Sequence, residues 1–165
     1  MFDVNLTAPA QLTRMVLPTM LEEGAGRPLN ISSTFALAGA PYTAADSAAK
    51  AGLGELTRSL AIELRGSGVT ATVVYSGPIH GDSMLSRLQD ESGVDLPWMP
   101  GYMPEKIARR AIRAMERGKP EVVIAPGGRP GTISKSLSEW ITRRLGIVAG
   151  MKAIADTHSI SAPRI

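Results

Sequence analysis

The run Leu60-Ala61-Ile62-Glu63-Leu64-Arg65-Gly66-Ser67-Gly68-Val69-Thr70-Ala71-Thr72-Val73-Val74-Tyr75-Ser76-Gly77-Pro78 holds a helix end, a glycine turn, a strand and a break. Upstream, Leu53, Leu56, Leu60 and Leu64 recur three or four apart, the period of one helix face, and predict a long Ala-rich helix over residues 42–66. Ser67-Gly68 is a turn. Residues 69–75 are mostly β-branched and end at Ser76-Gly77-Pro78, so they form the clearest strand of the chain.

Before that helix, the short apolar run of residues 28–34 is a second strand, entered from Gly24-Ala25-Gly26 and separated from the helix by Gly39-Ala40-Pro41. Residues 4–23 predict a helix in which Leu12, Val16 and Met20 recur four apart beside Met15 and Leu21, with a kink at Pro18. Residues 80–102 are rich in Gly, Pro and polar side chains, with a short helix over 83–90. An amphipathic helix follows over 103–117, with Pro104 in its first turn, where proline is tolerated. A third strand spans 121–125, a final helix 132–145, and the pattern weakens from Ala149 onward. Apolar strands alternating with crossover helices argue for an α/β fold with a parallel sheet and helices on both faces. The expected organisation is one domain over residues 1–146 and a weakly structured tail over 147–165.

Composition narrows the function classes. The 165 residues are 44% hydrophobic and 20% charged, with no cysteine, so disulfides and thiolate metal sites are excluded. The net charge of +3 is mild, and the basic residues of 105–119 alternate with helical apolar positions without interleaved aromatics. A solvated helix face explains them better than nucleic-acid binding. No stretch is apolar enough to span a membrane, and residues 1–12 lack the basic start and apolar run of a signal peptide, so a cytoplasmic location is expected.

Several motifs stand in one order. Asp3-Val4-Asn5-Leu6 opens a helix; Asn30-Ile31-Ser32-Ser33 ends a strand; Ser47-Ala48-Ala49-Lys50-Ala51-Gly52-Leu53 lies in the long helix; Gly77-Pro78-Ile79 follows the second strand. Together they resemble the C-terminal part of the short-chain dehydrogenase/reductase family. The resemblance implies a partial Rossmann-like, doubly wound sheet whose N-terminal cofactor-binding strands are absent. It also implies an NAD- or NADP-dependent oxidoreductase acting on a carbonyl or secondary alcohol. Ser33 would hydrogen-bond the substrate oxygen. Lys50 would bind the nicotinamide ribose and lower the pKa of a proton-transferring tyrosine. Asn5 would hold a water of the proton relay, and backbone at Gly77, Pro78 and Ile79 would meet the carboxamide.

The family's tyrosine should lie thirteen residues after the serine and four before the lysine. Both counts give position 46, which is Asp46; Tyr42 stands one helical turn away, in a register nothing rescues. An ionised carboxylate accepts hydrogen bonds but donates none, whereas carbonyl reduction needs a proton donor. Asp46 and Lys50 are four apart, acid first, and an ion pair is expected between them. Two further departures fall beside Gly77: Ser76 replaces the family's proline, and Gly81 its threonine. Neither Gly24-Ala25-Gly26 nor Gly127-Gly128 supplies the Gly-rich phosphate turn. A metal site at His80 and Asp82 lacks a third ligand, and Ser33 with His80 lacks the surroundings of a hydrolase nucleophile.

The expectation is therefore an impaired oxidoreductase. The alternative is a non-catalytic remnant that associates with itself or with a longer relative, through the strand edge left open at residues 29–33 and the two long helices that commonly build the family's subunit interface.

Overall fold

The computed structural model describes residues 1–38, 43–81, 84–93, 101–125, 150 and 152–153. Its elements follow the expected alternation: a π-helical turn at Asp3–Thr7, α1 Ala8–Glu22, β1 Leu29–Ser33, α2 Phe35–Ala38, α3 Ala44–Glu63, β2 Thr72–Ser76, α4 Met84–Ser92, α5 Pro104–Glu116 and β3 Glu121–Ile124. The three strands form one parallel sheet in the order β1-β2-β3, as the α/β reading requires. Among the described residues β1 and β3 are its edges. The expected helix at 132–145, the glycine pair at 127–128 and nearly all of the tail lie outside the described residues, as do Tyr42 and Asp82.

Strand alternation sorts the side chains onto two faces. Asn30 pairs in register with Val73 and Glu121, and Ser32 with Tyr75 and Val123; this face meets α3. Asn30 Nδ2 donates to Thr57 Oγ1 at 2.9 Å, and Thr57 Oγ1 donates to the Leu53 carbonyl at 2.7 Å. On the opposite face Val74 and Ile124 pack with Ile107 and Ala111 of α5, joined by Leu29, Val122 and Tyr102. Helices therefore cover both faces of the sheet. β2, in the middle, is buried along its whole length, as a strand covered on both faces must be.

The apolar face of α3 packs as its spacing predicts, with Leu53 and Leu64 buried. Gly54 lies there too, because the Tyr75 hydroxyl leaves no room for a side chain: a Cβ would fall 2.2 Å from it. Leu64 joins Val69 and Ala71 in a second cluster with Leu17, Met20, Leu60 and Ala61.

Three sequence expectations are corrected and one element is added. α1 turns Thr13, Leu17 and Met20 inward, while Leu12 and Val16 are exposed, so the row spaced by fours is not the packed face. The second strand starts at Thr72 rather than Val69. Val69 makes only an isolated bridge to Gly26, and Thr70 N–H donates to the Gly26 carbonyl at 3.0 Å. The long helix starts at Ala44, after Thr43 as its N-cap residue. The one-turn helix α2 has no counterpart in the sequence reading, being too short for a periodic signal.

Candidate functional site

The chemistry-bearing residues gather where the parallel strands end. β1 delivers Ser32 and Ser33, and alternation sends them to opposite faces. Ser32 is buried and its Oγ donates to the Lys50 carbonyl at 2.9 Å, tying the strand end to α3. Ser33 is half-buried. Its Oγ accepts from Phe35 N–H at 3.2 Å, which leaves the hydroxyl proton available to another acceptor. The Thr34 N–H donates to the Ser76 carbonyl at 2.9 Å, and Ser76 Oγ donates to the Ser32 carbonyl at 3.1 Å, so the ends of β1 and β2 are held together.

α3 brings Asp46 and Lys50 alongside. Asp46 lies in the first turn of α3. Neither Asp46 nor Lys50 makes an ion pair with another described residue, so the expected Asp46–Lys50 pair does not form. Free N–H groups and the helix macrodipole already favour a carboxylate in a first turn, which removes the need for a cation one turn later. Lys50, half-buried, keeps its ammonium unpaired by any carboxylate among the described residues.

Asn5 sits in the π-helical turn, an irregularity that often marks functional sites. Its Nδ2 donates to the Met1 carbonyl at 3.3 Å. The turn is seated on α3 through Leu6, whose Cδ2 lies 3.0 Å from where a Cβ on Gly52 would be. Beyond β2, Gly77 N–H donates to the Ile124 carbonyl at 2.9 Å. Pro78 and His80 exchange backbone hydrogen bonds of 3.1 Å with Tyr102, which fixes Ile79 in a short bridge to that residue. α3, which carries Lys50 and, one turn earlier, Asp46, thus contacts the π-helical turn of Asn5, the strand of Ser33 and β2, which leads into the turn at 77–79.

Among the described residues the Lys50 ammonium thus meets no carboxylate, and the Ser33 hydroxyl keeps its proton for another acceptor. Among the described residues there is no group of three or more His, Asp or Glu placed to hold a metal ion, and no helix long and apolar enough to cross a membrane.

Sequence reading passed over two aromatic positions. Tyr75 is fully buried, and that burial raises its phenol above the usual value, against the lowering effect of the nearby Arg58. A tyrosine in a strand that reads as continuous core was the available signal. Tyr102 carries Lys106 Nζ 4.0 Å and the Arg110 guanidinium 4.9 Å from its ring centre. The signal there was the spacing 102, 106, 110, in which Tyr102 stands just before α5 and the two cations lie one turn apart on it. Arg58 is itself raised above its usual value, first by its hydrogen bond to Glu55.

A family model described as short chain dehydrogenase matches residues 1–92. The ketoacyl reductase HetN of Nostoc sp. is 34% identical over 124 residues, which cover 74% of this chain and 42% of that protein. The 3-oxoacyl-(acyl-carrier-protein) reductase FabG of Rickettsia prowazekii is 37% identical over 109 residues, 64% of this chain and 45% of that one. The 2-dehydro-3-deoxy-L-rhamnonate dehydrogenase (NAD(+)) of a Sphingomonas species is 42% identical over 114 residues, covering 69% and 43%. The chain spans less than half the length of these relatives.

Proposed function

The chain belongs to the short chain dehydrogenase family, and on that premise we propose that it descends from, and forms the catalytic-residue half of, an NAD(P)-dependent oxidoreductase acting on a carbonyl or secondary alcohol, with proton transfer impaired at Asp46. The observation that carries this reading is the Ser32–Lys50 hydrogen bond. It fixes the end of β1, and with it Ser33, against the turn of α3 that carries Lys50. A bound dinucleotide would supply or take the hydride. Ser33 donates a hydrogen bond to the substrate oxygen, and Lys50 holds the ribose hydroxyls. Asn5, on the turn seated against α3, holds a water of the proton relay, and the backbone at Gly77, Pro78 and Ile79 receives the carboxamide. Asp46 occupies the proton donor's position with a short, acceptor-only carboxylate. Loss of a positioned acid or base typically lowers rate by about 10²–10⁴-fold.

A specific observation favours a second role beside this one. Val4, Leu12, Met15 and Val16 of the first helical segment are 74%, 62%, 73% and 44% exposed, and Ile31 on the open edge strand is 46% exposed. Exposed apolar side chains on a helix, and on a strand that is unpaired at one edge among the described residues, suit association with a second copy or with a longer relative. The protein is then a non-catalytic interaction module.

One experiment separates the two. Binding of NADH and NADPH and reduction of a carbonyl panel are measured for the chain and for Asp46→Tyr, each alone and joined to the N-terminal half of a relative. Turnover rising by two orders of magnitude or more in the joined Asp46→Tyr protein supports the oxidoreductase reading. Unchanged turnover with cofactor bound overturns the role given to position 46. No cofactor binding in any form, with tight association between the chain and a full-length relative, favours the interaction module.

A further inference from the structure

Helix α5 buries Ile107, Ala111 and Ala114 against the sheet. On one flank of that buried row lie Lys106, Arg110, Arg113 and Arg117, at the i, i+4, i+7, i+11 spacing of a single helical stripe. All four are exposed, and none makes an ion pair among the described residues. At about 1.5 Å per residue the stripe runs roughly 16 Å. The acidic residues of this helix, Glu105 and Glu116, project to one side of it, about a quarter of a turn or more from its mean direction, with Glu116 nearest to Arg113.

Such a stripe opposes helix stability, since like charges one turn apart repel. The macrodipole offsets this for Arg113 and Arg117 near the C-terminal end, but it works against Lys106 in the first turn. The upper end is also fixed in place: Lys106 and Arg110 stand over the Tyr102 ring, and Tyr102 is anchored to the turn after β2 by its backbone bonds to Pro78 and His80. The cation row thus begins beside the candidate site and leads away from it.

We propose that this stripe is a docking surface for an acidic α-helix of a partner protein. A helix bearing carboxylates every three or four residues presents them at the same 5.4 Å pitch, so a parallel or antiparallel neighbour can meet the row charge for charge. Single-stranded nucleic acid fits less well. Sequence-tolerant binding of that kind relies on aromatic faces free to stack bases, and the aromatic ring at this surface is already engaged by two cations. A second copy of the chain docked stripe to stripe would bring the two cation rows together.

The test measures binding of the full chain, at low ionic strength, to a labelled Ala-rich helical peptide whose glutamates follow the stripe's spacing. Comparison probes are a peptide of the same composition with its glutamates spread around the helix, and oligothymidylate. The expected result is saturable, salt-sensitive binding of the spaced peptide, weakened about tenfold by Arg110→Glu and again by Arg113→Glu, as attraction at each position becomes repulsion. Arg14→Glu alters net charge equally but lies on α1, which packs against α3, and should leave affinity within about twofold. Arg110→Gln covers the case in which charge reversal disturbs the fold, and thermal melting checks each variant. Equal binding of the two peptides, tighter binding of oligothymidylate, an Arg14→Glu effect as large as that of Arg110→Glu, or no saturable binding each overturns the proposal.

Discussion

Replacing Gly54 by alanine sets two measurable effects against each other. In an exposed helix the change gains up to about 1 kcal/mol of helix propensity. Here a Cβ would lie 2.2 Å from the Tyr75 hydroxyl oxygen, 2.9 Å from Cζ and 3.0 Å from Cε1. Ordinary contact begins near 3.4 Å, so the oxygen must retreat by 3.4 − 2.2 = 1.2 Å. Tyr75 is 1% exposed and sits on the central strand, so the ring is enclosed by the core. Overpacking of a filled core costs about 1–3 kcal/mol, so Gly54→Ala should be net destabilising by about 1–2 kcal/mol. For a chain of this length that lowers the melting midpoint by about 2–8 °C. Tyr75→Phe removes the closest atom and leaves a shortfall of 3.4 − 2.9 = 0.5 Å, so the double variant should recover part of the loss as a coupling energy. Urea denaturation of the wild type, both single variants and the double variant measures it. A midpoint raised by Gly54→Ala, as propensity alone would give, refutes the close packing of α3 on β2.

Two other outcomes test the same region. Burial raises the Tyr75 phenol above 10.0, so the folded state holds this proton more tightly than the unfolded chain. The associated stability is complete below the unfolded value and is lost as pH rises through the folded one; between about pH 9.5 and 11 the wild type should therefore lose more stability than Tyr75→Phe, and parallel losses would contradict this. Thr57→Val keeps the side chain's shape but leaves the Asn30 amide without its acceptor, and should cost about 1–3 kcal/mol in denaturant titration; an unchanged midpoint would show that the Asn30–Thr57 link does not hold β1 to α3.

How much was legible in the sequence varied with the kind of contact involved. β-branched runs and leucine spacing reveal β1, α3 and β2, because buried central elements carry one strong pattern each. α1 was legible as a helix but not as to which side packs. Leu12, Val16 and Met20 read as the apolar row, whereas packing uses Thr13, Leu17 and Met20, with a threonine that a hydropathy pattern counts as polar. Spacing also placed Asp46 and Lys50 one turn apart without deciding whether they meet, since a first-turn carboxylate already has the helix N-terminus to satisfy it. At the site, the roles of Ser33, Lys50, Asn5 and the turn at 77–79 came from motif resemblance. The bonds that hold them, such as Ser32 Oγ to the Lys50 carbonyl, join residues far apart in the chain and leave no local signature.

The π-helical turn gives this chain a sensitivity to length rather than to chemistry. Closing a turn with Ala8 N–H on the Asp3 carbonyl takes up one residue more than an α-helical turn would. Removing Thr7 would let the segment run on as regular α-helix, and everything before the deletion would rotate by about 100° about the helix axis. Asn5 would then face elsewhere although neither it nor any side chain of α3 had been altered. Insertions and deletions, more than substitutions, are the changes this corner of the fold cannot absorb.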